Sequence, residues 1–397
     1  MTERNILISG AGVAGITLAY WLRRHGFRPT VVERAEAPRR GGHAIDIRGS
    51  ALGVVERMGV LADIRRLSTD MRGMSWYNAR GRKLVDVTEH TLTGGLVDSE
   101  DVEILRDELT DILYAATDGV EYVFGDSITG LTQTPDGVDV TFASGTSRTF
   151  DLVVGADGIH SAVRRLAFGP ETRYLHHLDT YLSVFTMPNY LNLDRWQAFH
   201  MSPGRLAGVY SARGNTETRA MLGFESPVLD YDHHDRAQQE KLIADAFLGG
   251  GWEIPRLLRE MRSAPDLYFD SMSQVRMDSW TADRVTLVGD AGYGPSPLSG
   301  QGTSLALVGA YVLAGELRAA HGDHHTAFAR YTEIMRPFVL KNQELAMSNK
   351  RSQTRAAQWR QIQSLRALRY LPFRSQIMRK AMQPLTESAN TVRLKDY

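Results

Sequence analysis

The chain has 397 residues, enough to bury a large core and to hold two domains. It is 43% apolar and 23% charged, its formal net charge is zero, and it contains no cysteine. These totals suit an ordinary globular protein and give no overall field to recruit nucleic acid or a membrane. They exclude disulfides, zinc–thiolate sites, iron–sulfur clusters and a thiol nucleophile.

The first apolar residues, Ile6-Leu7-Ile8-Ser9, run into Gly10-Ala11-Gly12-Val13-Ala14-Gly15, and a helix follows through Ile16, Leu18, Trp21 and Leu22. This is a G-x-G-x-x-G fingerprint in a strand–turn–helix setting. Gly10 makes the tight turn, Gly12 lets backbone approach a pyrophosphate, and Gly15 lets helix and strand pack closely, with Ala14 between them. The helix N-terminus offers unpaired N–H groups and partial positive charge to phosphates. Because these residues are committed to the fingerprint, the start carries no signal-peptide pattern. No apolar run reaches the ~18 residues of a membrane span, so the expectation is a cytoplasmic protein with no membrane partner. A second strand through Val31-Val32 ends at Glu33, placed to accept hydrogen bonds from a ribose diol, with Arg34 beside it.

A glycine-rich loop follows, from Arg39-Arg40-Gly41-Gly42-His43 to Asp46-Ile47-Arg48-Gly49. Asp46 and Arg48 in it either line the site or face solvent. Strand–turn–strand signals lie around 74–87, and the spacing predicts an amphipathic helix from Ile104 to Leu113 carrying Arg106. A hairpin near Gly137 leads to Leu152-Val153-Val154-Gly155-Ala156-Asp157-Gly158, a buried parallel strand whose turn delivers the Asp157 carboxylate. From about 171 to 270 short alternating strands replace this texture, followed by helices near 236–248 and 252–262. Trp252-Glu253-Ile254-Pro255 reads as an ordinary helix start. His176, His177, His200, His233 and His234 lack ligand spacing, and no metal site is expected. Tyr181, Phe185, Phe199, Tyr210, Met221 and Phe224 supply candidates for an aromatic pocket, although half of any alternating set must face the other side of its sheet.

The nucleotide-binding pattern resumes at Val285-Thr286-Leu287-Val288-Gly289-Asp290 and continues through Pro297 and Gly300-Gln301-Gly302 into a long helix. Between 341 and 380 there are ten Lys/Arg against one Glu, which makes the C-terminal helical segment a bridging element with a solvated positive face.

Three strand ends therefore present functional turns: Gly10 to Gly15, Asp157-Gly158, and Gly289-Asp290. In this order they resemble the class A FAD-dependent aromatic monooxygenases, the para-hydroxybenzoate hydroxylase-like family, and above all its compact tetracycline-oxidising and polyketide-hydroxylating members. The resemblance spans roughly residues 4–340. It implies an α/β fold: a Rossmann-like FAD-binding domain, a substrate domain built on a mostly antiparallel sheet, and a long C-terminal helix. The expected domains are 1–70, 99–170 and 271–325 for FAD, 71–98 and 171–270 for substrate, and 326–397 for the helical segment.

By the same resemblance, Glu33 and Arg34 hold the adenosine ribose, Arg106 contacts the flavin side, and Asp157 belongs to a turn used by both FAD and NAD(P)H. Asp290 bonds the ribityl chain, while Pro297, Gly300 and Gly302 lie against the isoalloxazine. Three departures stand out: Tyr293 where the family usually has His, Ser304 where it has Asn, and Gly309 where it has an acidic residue. The implied reaction uses NAD(P)H and O2 to hydroxylate an aromatic or polycyclic phenolic small molecule through a flavin C4a-hydroperoxide. The absence of a second G-x-G-x-x-G makes the nicotinamide a transient co-substrate. The rivals are a flavin-dependent dehydrogenase or cyclase on the same fold, and a non-catalytic ligand-sequestering flavoprotein. No catalytic residue is identifiable, and the expected oligomeric state is monomer or homodimer.

Overall fold

The computed structural model describes residues 4–38, 41–350, 355–368 and 373–397. Arg39 and Arg40 of the glycine-rich loop lie outside the described residues.

Six strands form the nucleotide-binding sheet, in the order Thr281–Ala282, Val285–Leu287, Leu152–Gly155, Asn5–Ser9, Arg28–Glu33 and Glu121–Phe124. All neighbours are parallel except the short first strand. Near-continuous Val, Ile and Leu in these strands follow from burial on both faces. The helix Val13–Arg24 and the apolar helix Gly302–Ala319 cover the sheet, with Trp21 and Tyr311 rings 4.9 Å apart.

Ser9 pairs with Val32 on one side and Gly155 on the other, and Gly155 pairs with Leu287. This register brings the three turns and Glu33 to one edge, the C-terminal ends of four adjacent strands. Glu33 and Asp290 are thus three strand intervals apart, about 14 Å at about 4.8 Å each. An extended dinucleotide spans such a distance.

A seven-stranded sheet holds Tyr268–Val275, Leu175–Pro188, Glu217–Glu225, Arg205–Ala212, Gln197–Ser202, Met74–Tyr77 and Lys83–Val87, in that order. It is antiparallel apart from the pairing of Gln197–Ser202 with Met74–Tyr77. By pairing with Leu175–Pro188, Tyr268–Val275 carries this sheet beyond residue 270. Helices Arg236–Ala246 and Ile254–Ser263 cover one face of it, with Phe247 and Leu257 from the helical side clustered with Phe185 and Phe224 of the sheet. The opposite face, with Tyr210 and the half-buried Met221, packs on the nucleotide-binding side.

The glycine-rich segment departs from the expected loop. Ala44–Ile47 is a strand paired antiparallel with Val102–Leu105, so Ile104 and Leu105 lie in that strand and the helix begins at Arg106. Apolar Ile45, Ile47, Val102 and Ile104 pack on the core beneath. Four residues are too short a run for periodicity to separate strand from loop or helix.

Candidate cofactor site at the sheet edge

The fingerprint glycines are each required in a different way. Gly10 has φ +106°, and a Cβ there would lie 2.6 Å from the Ala156 carbonyl oxygen. A Cβ on Gly15 would lie 1.9 Å from the Gly10 carbonyl oxygen, so only glycine lets the helix sit this close to its strand. At Gly12 a Cβ would meet nothing within 4 Å. Gly12 is also the N-cap of a helix whose first turn has no side-chain cap. Open space in front of uncapped N–H groups is a cradle for a phosphate. Ala14 closes its far side, since a Cβ on Gly289 would lie 3.0 Å from the Ala14 Cβ.

At one end of the cradle the Glu33 carboxylate accepts the N–H of Ala11 and that of Ala35, both at 2.9 Å. It is thereby held over the turn, with Arg34 exposed beside it. At the other end Asp290 is open to solvent although protein surrounds it, as expected of a carboxylate facing into a cleft. Burial, then the nearby Asp270, pushes its pKa up.

Its Oδ1 looks toward the start of the Gly302–Ala319 helix, within 3.9 Å of where a Gly302 Cβ would be. That helix also begins without a side-chain cap, and the fully buried Gln301 beside it has an unpartnered Oε1. Pro297–Ser299 forms a 3-10 turn, and Gly300 follows in the left-handed region at φ +63°. Two uncapped helix starts, an orphaned buried acceptor and carboxylates at both ends fit a dinucleotide with a heterocycle at the Gly302 end.

Arg106 begins its helix beside the glycine-rich segment, its Nη2 donating to the Gly41 carbonyl at 3.4 Å. His43 lies close by, its ring centroid 5.4 Å from that of Tyr268. Burial and then the Arg106 charge lower the His43 pKa to about 4, so its ring is neutral at physiological pH. Tyr268 feels both Asp290 and Arg106, which gathers all four side chains at one cleft.

Other expected residues sit differently. Asp157 supports the first turn of the helix Ala162–Phe168 beside its N-cap Ser161, accepting the N–H groups of Ala162 at 2.8 Å and Val163 at 3.1 Å and the Ser161 hydroxyl. Its contribution to the cradle is the backbone, which touches the Gly10 turn. Asp46 and Arg48 lie on and just after a strand rather than in a loop. Neither faces solvent: Arg48 is 2% exposed, bonds Asp46 at 2.9 Å and Asp101 at 3.1 Å, and donates its backbone N–H to Ser304.

His233, without ligand spacing in sequence, packs on His160 at 4.5 Å between rings. His160 is clamped between Glu171 at 3.0 Å and Asp270 at 3.1 Å, and those partners, opposing the effect of burial, raise its pKa to about 9. With both ring nitrogens engaged, this is an imidazolium clamp joining the Asp157 turn to the seven-stranded sheet.

Sequence reasoning passed over His43 and Tyr268. His43 gave one usable signal, its place between Gly42 and Asp46. Tyr268 gave none, because His43 and Arg106 come from elements more than 150 residues away and Asp290 from the end of a different sheet's strand.

Residues 3–344 match the FAD binding domain family. The protein Rv1260 of Mycobacterium tuberculosis is 52% identical over 347 residues, covering 87% of this chain and 93% of that protein. A flavin-dependent monooxygenase of Legionella longbeachae is 42% identical over 342 residues, covering 86% and 87%. The crystal structure of tetracycline destructase Tet(51) matches over 100% of both chains with a TM-score of 0.87 and 36% identity. The chain belongs to the FAD-binding flavin-dependent monooxygenases, and its α/β fold and FAD cofactor are theirs.

Proposed function

We propose that this monooxygenase hydroxylates a polycyclic phenolic small molecule of the polyketide or antibiotic type. The observation that carries the reading is the full-length match to a tetracycline destructase, over an inner sheet face bearing Tyr210 and Met221. Bound FAD, reduced by NAD(P)H, supplies the redox chemistry that activates O2. The chain binds, orients and excludes water.

In this reading Gly10, Gly12, Ala14 and Gly15 cradle the pyrophosphate, and Glu33 with Arg34 takes the adenosine ribose. Asp157 serves through its turn. Asp290 binds the ribityl chain, with Arg106 on the flavin side. Pro297, Gly300 and Gly302 lie along the ring, where the helix start at Gly302 stabilises negative charge on it. The segments 1–70, 99–170 and 276–325 act as the FAD domain, and 71–98 with 171–275, which keeps the strand Tyr268–Val275 whole in its sheet, as the substrate domain. The protein works as a monomer or homodimer, which light scattering decides.

The test is NAD(P)H oxidation by FAD-loaded enzyme against fused-ring and single-ring phenols, with mass spectrometry of the products. The reading expects faster oxidation and a product heavier by one oxygen atom with fused-ring phenols. Oxidation without oxygen insertion points to the dehydrogenase or cyclase rival. No stimulation by any phenol points to a sequestering flavoprotein.

A further inference from the structure

The edge hairpin of the nucleotide-binding sheet joins Thr281–Ala282 to Val285–Leu287 through a two-residue turn, Asp283-Arg284. Asp283 takes φ +48°, in the left-handed region that an aspartate tolerates better than most residues. Arg284 turns its guanidinium to the carbonyls of Pro135 and Asp151. The Asp283 carboxylate faces the start of the helix His324–Asn349.

Two imidazoles converge on it there. His324 Nε2 lies 3.4 Å and His325 Nε2 3.8 Å from the same oxygen, Asp283 Oδ1. Each of the three residues offers one ligand atom, and these atoms lie within 4.8 Å of one another. Such separations are long for hydrogen bonds, whose N···O distances run about 2.7–3.2 Å. They suit a shared ion. In a tetrahedral site with bonds of about 2.0–2.1 Å, neighbouring ligand atoms are about 3.4 Å apart. A small rotation of the exposed His325 side chain closes the difference.

The frame around the pair is fixed. Asp323 is the helix N-cap, and its side chain accepts the N–H of His325 at 3.2 Å and the Thr326 hydroxyl. The buried His324 ring packs edge-on against the buried Phe328, centroids 5.8 Å apart, and beside the His325 ring at 4.1 Å. One ligand is thus oriented by the core. Asp283, at 53% exposure, and His325, at 72%, keep the site open to solvent, so an ion can enter directly and water can complete its coordination. A cation here meets the positive end of the helix dipole, against which Asp283 and Asp323 set two negative charges.

The donor set selects the ion. Two imidazole nitrogens with one carboxylate suit zinc and its neighbours in the first transition row, whereas calcium and magnesium take oxygen ligands.

We propose that Asp283, His324 and His325 bind one divalent first-row transition ion, exemplified by Zn2+, which clips the edge hairpin to the start of the helix. The carboxylate lies 41 residues before His324, so the fold assembles what the sequence keeps apart. The clip is structural rather than redox. Val285–Leu287 runs from this hairpin toward Gly289 and Asp290, so the ion sits at the opposite end of the strand from the cofactor edge. The helix that it anchors is the one whose Tyr331 donates to the Leu287 carbonyl at 3.0 Å.

Among the described residues a second trio, His160, His233 and Asp270, is gathered as closely. There both His160 nitrogens already bond carboxylates, at 3.0 and 3.1 Å, so an ion would have to displace the clamp. That trio serves as the control.

FAD-loaded enzyme is freed of metal with a chelator and titrated calorimetrically with Zn2+, alongside Asp283→Asn, His325→Ala and His233→Ala. One ion per chain is expected. Asp283→Asn and His325→Ala should each weaken its binding at least about tenfold, while His233→Ala should leave it within about threefold. Zn2+ should also raise the melting temperature of the enzyme and leave those of Asp283→Asn and His325→Ala nearly unchanged. No binding to the enzyme, or binding unchanged in either of these two variants, overturns the site. Loss in His233→Ala alone moves the ion to the clamp and overturns it as well. Binding that leaves the melting temperature of the enzyme unmoved overturns the clip. Both altered side chains are exposed and remote from the cofactor edge, and an unchanged flavin spectrum verifies that the variants fold.

Discussion

The hydroxyl of Tyr293 occupies the space that any side chain at Gly309 would need: a Cβ there would lie 2.0 Å from that oxygen. The Tyr331 hydroxyl lies 2.9 Å from the same oxygen and donates to the Leu287 carbonyl at 3.0 Å, all of it buried. The two departures from the family pattern are therefore complementary, a phenol at 293 facing a missing side chain at 309. Gly309→Ala should cost about 1–3 kcal/mol by overpacking. Adding Tyr293→Phe, which removes the clashing oxygen, should restore most of the loss. Calorimetric melting of the three proteins decides it; an unchanged Tm in Gly309→Ala refutes the packing account.

Glu33→Ala should weaken FAD binding about 10- to 100-fold, the worth of about 1.5–3 kcal/mol in hydrogen bonds to a charged group. Fluorescence titration of the apoprotein with FAD gives the constant. A change below about threefold would detach Glu33 from the cofactor.

Asp290 carries a sign that can be read in the empty protein. Its pKa is raised from 3.8, so the folded apoprotein disfavours the carboxylate. Its stabilising contribution is full below 3.8 and is lost as pH rises through the folded value. At neutral pH, Asp290→Asn should therefore raise the Tm of the apoprotein while weakening FAD binding by at least about tenfold, about 1.4 kcal/mol. Both changes falling in the same direction would contradict the placement of this carboxylate in the cleft.

Asp157→Ala should act mainly on stability. Removing a carboxylate that accepts two first-turn N–H groups of Ala162–Phe168 and the hydroxyl of its N-cap Ser161 costs about 0.5–2 kcal/mol. FAD affinity should move by less than about threefold, since only the backbone of this turn faces the cradle. Urea unfolding and FAD titration on the same preparation test the pair of outcomes.

His160 gives the molecule a pH-dependent latch. Raised from 6.5 to about 9 by Asp270 and Glu171, it stabilises fully below pH 6.5 and progressively less as pH rises through 9. Urea midpoints of the enzyme should fall across that window, and His160→Gln should flatten the slope. Parallel slopes in the two proteins would assign the pH dependence elsewhere.

Much of the cradle was legible because its signals are local. The first two glycines, the strand before them and the helix after them lie within about twenty residues, and each glycine answers a steric demand of its own turn. The same holds for Gly289-Asp290, where an apolar strand ends in a carboxylate. Asp46 and Arg48 were legible only as two charged residues in a glycine-rich stretch. The strand that carries Asp46 is set by pairing with 102–105, more than fifty residues on, and four residues carry too little periodicity to announce it.

The chain order by itself determined that three strand–turn units exist, that a carboxylate ends two of them, and that no thiol chemistry is present. Those are properties of short segments, fixed by backbone sterics and apolar patterning. Tertiary structure alone decided which side chains meet. Parallel register carried Glu33 and Asp290 to one sheet edge, packing set Tyr293 against Gly309, and an antiparallel ribbon faced Asp46 with Glu103. Contacts between distant residues arise from the burial of whole surfaces, and no local stretch of sequence encodes them.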